Sequence, residues 1–190
     1  MAARPLPPPV DDPDALEVRI SPMRRRHLRG VLRIEQQVYP RPWTFSLFLS
    51  EIGQRATRLY VVARVGGDVI GYAGLFRAVD DGHITTVAVD PAWHRHGIAT
   101  RVLLALARGA KHRGCKNLTL EVRMSNTGAQ ALYQRFGFVP AGVRKGYYPE
   151  TGEDALVMWA NDIDSPPYAA RLAAIERTVR GHTIIDGDWL

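Results

Sequence analysis

Apolar residues recur along most of this chain at the two spacings that regular secondary structure requires. In residues 16–20 they alternate with polar residues, which indicates a strand, whereas in residues 24–38 they return every three or four positions, which indicates an amphipathic helix. By these criteria and by β-branched content, strands are predicted at residues 16–20, 58–64, 68–75, 83–89, 117–122, 138–143 and 154–159, and helices at residues 24–38, 97–112, 127–136 and 168–180, with a short one after Thr44.

The order of these elements predicts the fold class. It is strand-helix-helix-strand-strand-strand-helix-strand-helix-strand-strand, which is typical of a mixed α/β domain with helices on both faces of the sheet. We assign this domain to residues 16–160. Residues 1–15, with five prolines and three aspartates, predict a flexible tail. Residues 161–190 predict a C-terminal helical extension with one apolar stripe, which should dock on the domain or on a second subunit.

Composition excludes several classes of protein. Cys115 is the only cysteine, so the chain has no internal disulfide and no cysteine-rich zinc site. No run approaches the roughly 20 apolar residues of a membrane-spanning helix, and residues 1–15 lack the apolar segment of a secretory signal, so a cytoplasmic protein without a membrane partner is expected. The net charge of +6 comes from scattered arginines, which favours a solvated surface over a nucleic-acid partner.

A first candidate site lies in residues 87–100, Val-Ala-Val-Asp-Pro-Ala-Trp-His-Arg-His-Gly-Ile-Ala-Thr, where a strand is joined to a helix by a short loop. The free amides and the dipole of a helix N-terminus attract anions, and Gly97 would let a phosphate approach the backbone. Neither a P-loop nor a Gly-x-Gly-x-x-Gly dinucleotide motif is present. Tight packing of the helix on the strand would explain the same small residues, so both interpretations stay open.

A second candidate site combines Glu121, in an apolar strand, with Tyr133, twelve residues later on the next helix. A carboxylate in such a strand is costly unless it faces solvent, has a partner or takes part in catalysis. Exposure of Glu121 to solvent and core packing of Tyr133 are the ordinary alternatives. The helical spacing of the apolar residues around Tyr133 favours core packing when it is considered alone.

Taken together and in order, these motifs resemble the GNAT acetyltransferases. The matching residues are Val-Ala-Val-Asp-Pro at 87–91 with Gly97 and Ala99, Leu-Glu-Val-Arg at 120–123 with Ser-Asn at 125–126, Ala-Leu-Tyr at 131–133 with Gly-Phe at 137–138, and Gly-Tyr-Tyr-Pro at 146–149. Over residues 18–159 the chain is most similar to the ribosomal-protein-alanine N-acetyltransferases (RimI) and archaeal N-terminal acetyltransferases. The resemblance implies the α/β GNAT fold, with a mixed, mostly antiparallel sheet flanked by helices on both faces. It also implies acetyl-CoA as cosubstrate and, as acceptor, the α-amine of a protein N-terminus such as that of a ribosomal protein.

The resemblance also implies roles for individual residues. The backbone of residues 87–89 would contact the pantetheine arm of acetyl-CoA, and residues 95–100 would surround its pyrophosphate. The residues expected to contact the cofactor are Val87, Ala88, Val89, Arg95, His96, Gly97, Ile98, Ala99, Thr100 and Asn126. The residues expected to line the peptide groove are Pro40, Pro42, Trp43, Tyr147 and Tyr148. Glu121 matches the general base, and Tyr133 matches the general acid beside the sulfur.

His94 departs from the family's pattern, because it stands where Gln or Arg is usual. A neutral imidazole adds no fixed charge, so cofactor binding would be weaker unless Arg95 compensates. His83, His94 and His96 could also suggest a metal. Two histidines two residues apart on a loop, with only Asp90 as a nearby carboxylate, predict none.

Two other functions stay open at the level of sequence: acetylation of lysine side chains, and a non-catalytic acyl-CoA- or ribosome-binding module. The reference pKa of an α-amine is about 7.7–8.0, against about 10.4 for lysine, so the α-amine is easier to deprotonate at neutral pH and is the favoured acceptor. A binding module would not need both Glu121 and Tyr133. We expect direct transfer without a covalent enzyme intermediate, and the sequence leaves the oligomeric state open.

Overall fold

A computed structural model describes residues 13–189, so most of the predicted tail, residues 1–12, lies outside the described residues. The strands are β1 Glu17–Pro22, β2 Arg58–Val65, β3 Asp68–Ala78, β4 Asp81–Val89, β5 Asn117–Arg123, β6 Val139–Tyr148, β7 Glu153–Ala160 and β8 His182–Ile185. The helices are α1 Leu28–Val38, α2 Phe45–Gly53, α3 Ile98–His112, α4 Thr127–Arg135 and α5 Pro166–Glu176, and Pro13–Ala15, Arg25–His27 and Pro91–Trp93 form short 3-10 turns. None of the described helices is long and apolar enough to cross a membrane.

All eight described strands join one sheet in the order β6-β7-β5-β4-β3-β2-β1-β8. The β4–β5 and β1–β8 pairs are parallel and the other pairs are antiparallel. The predicted mixed, mostly antiparallel sheet is therefore confirmed.

Helices cover both faces of the sheet, as the alternation along β2 shows. Leu59, Val61 and Ala63 belong to a core that includes α3 and the buried side of α5, whereas Tyr60 and Val62 belong to a second core with α1 and α2. Successive side chains of a strand point to opposite faces, so a strand buried on both sides lies between two helical layers. This arrangement confirms the predicted layers.

Polar residues fix the starts of the helices beside the candidate site. Thr44 caps α2 as predicted, since its hydroxyl accepts a hydrogen bond from the Leu47 amide at 3.2 Å. Asn126 caps α4 by accepting one from the Ala129 amide at 3.1 Å. Thr44 and Asn126 thus hold the loops that precede these helices, and both loops border the site described below.

β4 and β5 pair only at their first residues, Asp81–His83 against Asn117–Thr119. β4 pairs with β3 along its whole length, and beyond that point it pairs with β3 alone; the register with β3 shifts so that Thr85 is an extra, unpaired residue between Ile84 and Thr86. A bulge of this kind bends its strand. The carboxyl-terminal halves of β4 and β5 therefore separate, and an opening forms in the middle of the sheet.

The C-terminal segment differs from the predicted helical extension. Its helix, α5, ends at Glu176 rather than at residue 180. Just after this end, the Thr178 hydroxyl donates a 2.6 Å hydrogen bond to the Ile175 carbonyl oxygen. A strand that we did not predict, β8, then pairs in parallel with β1. The predicted apolar stripe does dock on the domain, since Tyr168, Leu172 and Ile175 are buried in the core with α3.

Candidate active site

Two grooves meet where β4 and β5 separate. The loop groove is lined by Val38, Val87, Ala88, Val89, Trp93, His94, Arg95, Gly97, Ile98, Ala99, Thr100, Asn126, Gly128, Ala129, Leu132 and Tyr133. The side-chain groove is lined by Tyr39, Pro40, Arg41, Trp43, His83, Ile84, Thr85, Thr86, Val87, Leu120, Glu121, Val122, Arg123, Asn126, Tyr133, Tyr147, Tyr148 and Glu150. Val87, Asn126 and Tyr133 line both grooves, so the two are continuous.

The loop groove suits an anion because the backbone of its loop is turned sharply. Arg95 and Gly97 both adopt the left-handed conformation, with φ of 66° and 74°, and α3 begins immediately afterwards. Before the turn, the buried Asp90 accepts a 2.9 Å hydrogen bond from the Ala92 amide, and its Oδ2 lies 3.4 Å from Arg33 Nη2. No carboxylate of residues 13–189 lines the groove. A helix N-terminus without opposing negative charge fits a phosphate group.

The structure brings together nine of the ten residues expected at the cofactor, all of which line the loop groove. The exception is His96, whose ring packs on Trp93 with centroids 5.8 Å apart and whose Nδ1 lies 2.9 Å from the His94 carbonyl oxygen. His94, the residue that departs from the family pattern, does line the groove. The cofactor contact expected of His96 therefore has no support in the lining of the groove.

Glu121 is enclosed by His83 and Arg144 rather than facing solvent. Its side chain is 7% exposed, its Oε2 lies 2.6 Å from His83 Nε2, and its Oε1 lies 3.1 Å from Arg144 Nη2. Both carboxylate oxygens therefore have a partner at the wall of the side-chain groove. Burial with specific partners in a groove is the setting in which catalytic carboxylates are found. The solvent-facing alternative for Glu121 is wrong.

His83 is a site residue whose partner the sequence analysis missed. It pairs with Thr119 across the short β4–β5 ladder, and Glu121, two residues further along β5, lies on the same face. Only the parallel pairing of the two strands brings the imidazole to the carboxylate, and no local motif shows that pairing. His83 thus belongs with Glu121 and not with the loop histidines, and no cluster of residues within 13–189 could hold a metal ion.

Tyr133 packs in the core and also lines both grooves. Its ring lies 5.9 Å from that of Phe138, and the residue is 9% exposed. Burial raises the pKa of its phenol above the ordinary value, and the nearby Tyr39 and Tyr148 add to the shift. The phenol is therefore protonated at neutral pH and is available as a hydrogen-bond donor. The packing and site interpretations of Tyr133 are compatible.

The opposite wall of the side-chain groove is the loop between α1 and α2. Pro40 and Trp43 line the groove as expected, but Pro42 is not among its lining residues. The Trp43 amide donates a 2.9 Å hydrogen bond to Glu35, whose other carboxylate oxygen is buried and has no hydrogen-bond partner. Burial raises the pKa of Glu35 to about 7. Its spacing from Leu28, seven residues earlier, could have placed it on the buried face.

A hairpin closes the remaining side of the side-chain groove. Tyr147 and Tyr148 line it as expected, and the Arg123 guanidinium lies 3.8 Å from the ring centre of Tyr148. Arg123 also pairs with Glu150, in the turn that follows. These contacts tie the hairpin to the end of β5, beside Glu121.

Tyr39 links the two grooves. Its hydroxyl donates to the Val87 carbonyl oxygen at 2.9 Å and lies 3.2 Å from the Thr86 hydroxyl, beyond the bulge in β4. The loop after α1 is thereby tied to the strand end that both grooves share. An amine held in the side-chain groove and an acyl group held in the loop groove would meet beside Val87 and Tyr133.

Comparison with known proteins identifies the class to which this fold and site belong. Residues 28–138 match the Acetyltransferase (GNAT) family. The chain belongs to that family and is an acetyl-CoA-dependent N-acetyltransferase.

Several named relatives match most of the chain. It is similar to the [ribosomal protein bS18]-alanine N-acetyltransferase of Escherichia coli K12, with 34% identity over 73% of this chain and 94% of that protein. It is equally similar, at 34% identity, to the N-alpha-acetyltransferase RimI of Mycobacterium tuberculosis, over 76% of this chain and 93% of that protein. The crystal structure of the ribosomal-protein-S18-alanine N-acetyltransferase from E. coli superposes with a TM-score of 0.70, covering 76% of this chain and 94% of that one, at 33% identity.

Proposed function

We propose that this enzyme transfers the acetyl group of acetyl-CoA to the free α-amine at a protein N-terminus. The observation that carries the proposal is the position of Glu121, whose side chain is 7% exposed in the wall of the side-chain groove, which is continuous with the loop groove. The names of the relatives, which specify a ribosomal protein alanine or an α-amine, support the same acceptor. A ribosomal protein N-terminus is accordingly the first acceptor to test.

Residues of the loop groove would hold acetyl-CoA, which supplies an acyl group activated as a thioester. Arg95 and the first residues of α3 line the groove, and the phosphates of acetyl-CoA would bind there to the amides of the helix start. Val87, Ala88 and Val89 offer backbone groups along its length. Asn126 and Tyr133, which line both grooves, would flank the acyl end.

Glu121 would act as the general base. A protonated amine has no lone pair with which to attack a carbonyl, so the ammonium must first lose a proton, and the carboxylate would accept it directly or through a water. His83 and Arg144 hold the carboxylate at the groove wall. As the new C–N bond forms and the C–S bond breaks, negative charge develops on the sulfur. The protonated Tyr133 phenol would donate a hydrogen bond to it.

The α-amine is favoured over lysine as the acceptor because Glu121 needs less free energy to deprotonate it. The reference pKa of lysine exceeds that of an α-amine by about 2.5 units, which adds roughly 3.4 kcal/mol to deprotonation at neutral pH. One carboxylate whose oxygens are shared with His83 and Arg144 is better matched to the smaller demand. Lysine acetylation and a non-catalytic binding module are the rival functions.

Release of CoA from acetyl-CoA, measured with a panel of short peptides, tests the proposal. Each peptide would be prepared with a free α-amine and with that amine blocked, and the blocked set would carry an internal lysine. We expect release with the free peptides, Ala-initiated ones included, and at most a few per cent of that rate with the blocked set. Faster release with the blocked lysine peptides would show a lysine acetyltransferase, and release no greater than with heat-denatured protein would remove the enzymatic function.

A further inference from the structure

Arg101 is a buried cation whose recorded hydrogen-bond partners are all neutral. It lies on α3, is 1% exposed, and contacts three oxygens. Its Nη1 donates to the His96 carbonyl at 3.0 Å, its Nε donates to the Thr183 hydroxyl at 2.9 Å, and its Nη2 donates to the Arg180 carbonyl. Burial lowers its pKa to about 10, so the guanidinium stays charged at neutral pH. A buried charge held only by neutral groups is costly and needs an explanation.

The bond to His96 fixes the orientation of one peptide unit in the loop groove. His96 lies between the two left-handed residues, Arg95 and Gly97. In a trans peptide the carbonyl and the following amide point in opposite directions. Because the His96 carbonyl is held by Arg101, the Gly97 N–H is directed away from Arg101, and Gly97 lines the loop groove. The reverse orientation would turn a carbonyl oxygen towards a bound phosphate.

The other two bonds of Arg101 reach the C-terminal segment. The Arg180 carbonyl follows α5, and Thr183 belongs to β8, where it pairs with Val18 of β1. Val179 lies beside the loop, since it borders the same cavity as Gly97 and its Cγ1 would be 3.3 Å from a Cβ added at Gly97. The loop that precedes α3 is thus held from behind by α3 and by residues 179–183 together.

We propose that the C-terminal segment is part of the cofactor site and that Arg101 is the positioning residue through which it acts. Arg101 holds the Gly97 amide towards the diphosphate of acetyl-CoA while its other donors are anchored on Arg180 and Thr183. The inference rests on the proposed binding of acetyl-CoA in the loop groove. Its effect falls on cofactor affinity rather than on the chemical step, since Arg101 reaches neither Glu121 nor Tyr133.

The test is titration calorimetry of full-length variants with CoA, together with kcat and KM for acetyl-CoA. Arg101→Met removes all three hydrogen bonds, and Arg101→Lys keeps the charge but not the planar fork. Arg108→Met is the matched control, because Arg108 also joins α3 to the C-terminal segment, through Glu176 at 2.6 and 2.8 Å, without touching the loop. We expect Arg101→Met to raise the Kd for CoA at least tenfold, Arg101→Lys to raise it about threefold, and Arg108→Met to change it less than twofold.

The expected kinetic signature is a raised KM for acetyl-CoA with kcat within twofold of wild type. An unchanged Kd in Arg101→Met, or equal weakening in Arg101→Met and Arg108→Met, would overturn the inference. If Arg101→Met does not fold, Thr183→Val is used instead, because it removes one of the three acceptors of Arg101. We expect this variant to raise the Kd for CoA about threefold. An unchanged Kd would reject the positioning role of Arg101. Failure of wild type to bind CoA would overturn this inference and the proposed function together, while CoA binding without peptide acetylation would overturn only the proposed function.

Discussion

The loop groove and the side-chain groove meet at Tyr133, but they are built in different ways. The loop groove takes most of its wall from one continuous stretch, residues 87–100, in which a left-handed turn of the backbone leads into the start of α3. The side-chain groove takes charged and aromatic residues from the α1–α2 loop, β4, β5, α4 and the β6–β7 hairpin. Backbone amides survive most substitutions, whereas a carboxylate does not. Single substitutions should therefore change turnover far more than they change cofactor affinity.

The largest effect is expected at Glu121. Glu121→Gln keeps the size of the side chain but removes the base, so kcat should fall by about 10²–10⁴, with the Kd for CoA within twofold of wild type. The deficit should shrink above pH of about 8, where the acceptor amine loses its proton to solvent. The control is Glu51→Gln, because Glu51 forms an ion pair with Arg58 and lies outside both grooves. This variant should keep the kcat of wild type. Wild-type turnover of Glu121→Gln at neutral pH would reject the base.

Tyr133→Phe should have the next largest effect. The ring and its contact with Phe138 are kept, so the melting temperature should stay close to that of wild type. We expect kcat to fall by about 10–10², less than for Glu121, because a phenol with a raised pKa acts more as a hydrogen-bond donor than as a full acid. Turnover equal to wild type would leave Tyr133 with its packing role alone.

Gly97→Ala tests the backbone character of the loop groove. A Cβ there would lie 2.9 Å from Arg101 Nη1, and the φ of 74° costs a non-glycine residue roughly 1–2 kcal/mol. We expect the KM for acetyl-CoA to rise about tenfold while kcat changes little. Gly66→Ala is the matched control, since Gly66 has a similar φ of 56° in a hairpin outside both grooves, with open space around it. Equal KM values for the two variants would contradict the assignment of the loop.

The smallest effect is expected at Glu35 and concerns stability. Because burial raises its folded-state pKa from 4.5 to about 7, ionisation is disfavoured in the folded protein. Its contribution to stability is thus fully present below about pH 4.5 and is lost as pH rises through about 7. Glu35→Gln cannot ionise, so its melting temperature should gain a few degrees on that of wild type between pH 5 and pH 8. A difference in melting temperature between the two proteins that stays constant across this pH range would show that Glu35 does not titrate there.

The same difference between the two grooves explains what the sequence could predict. The loop groove follows from a local motif, in which Gly97 was expected to let a phosphate approach the backbone, but the left-handed conformation of Arg95 and Gly97 was not predicted. The contact of His83 with Glu121 depends on the pairing of two strands far apart in sequence, which no local pattern shows. Glu35 was missed although its helical spacing from Leu28 marks the buried face. β8, four residues long, lacks the length that makes a strand recognisable.

The pairing of β8 with β1 also has a consequence for how the molecule is made. Glu17 pairs with His182, so β1 receives its second neighbour only after all the other described strands have been synthesised. Until then the free edge of β1 is open to pairing with other chains. Thr183 of β8 also accepts a hydrogen bond from Arg101, which holds the loop that precedes α3. The sheet is therefore completed, and this loop fixed in place, when β8 is added. A nascent chain should therefore gain its affinity for acetyl-CoA last of all.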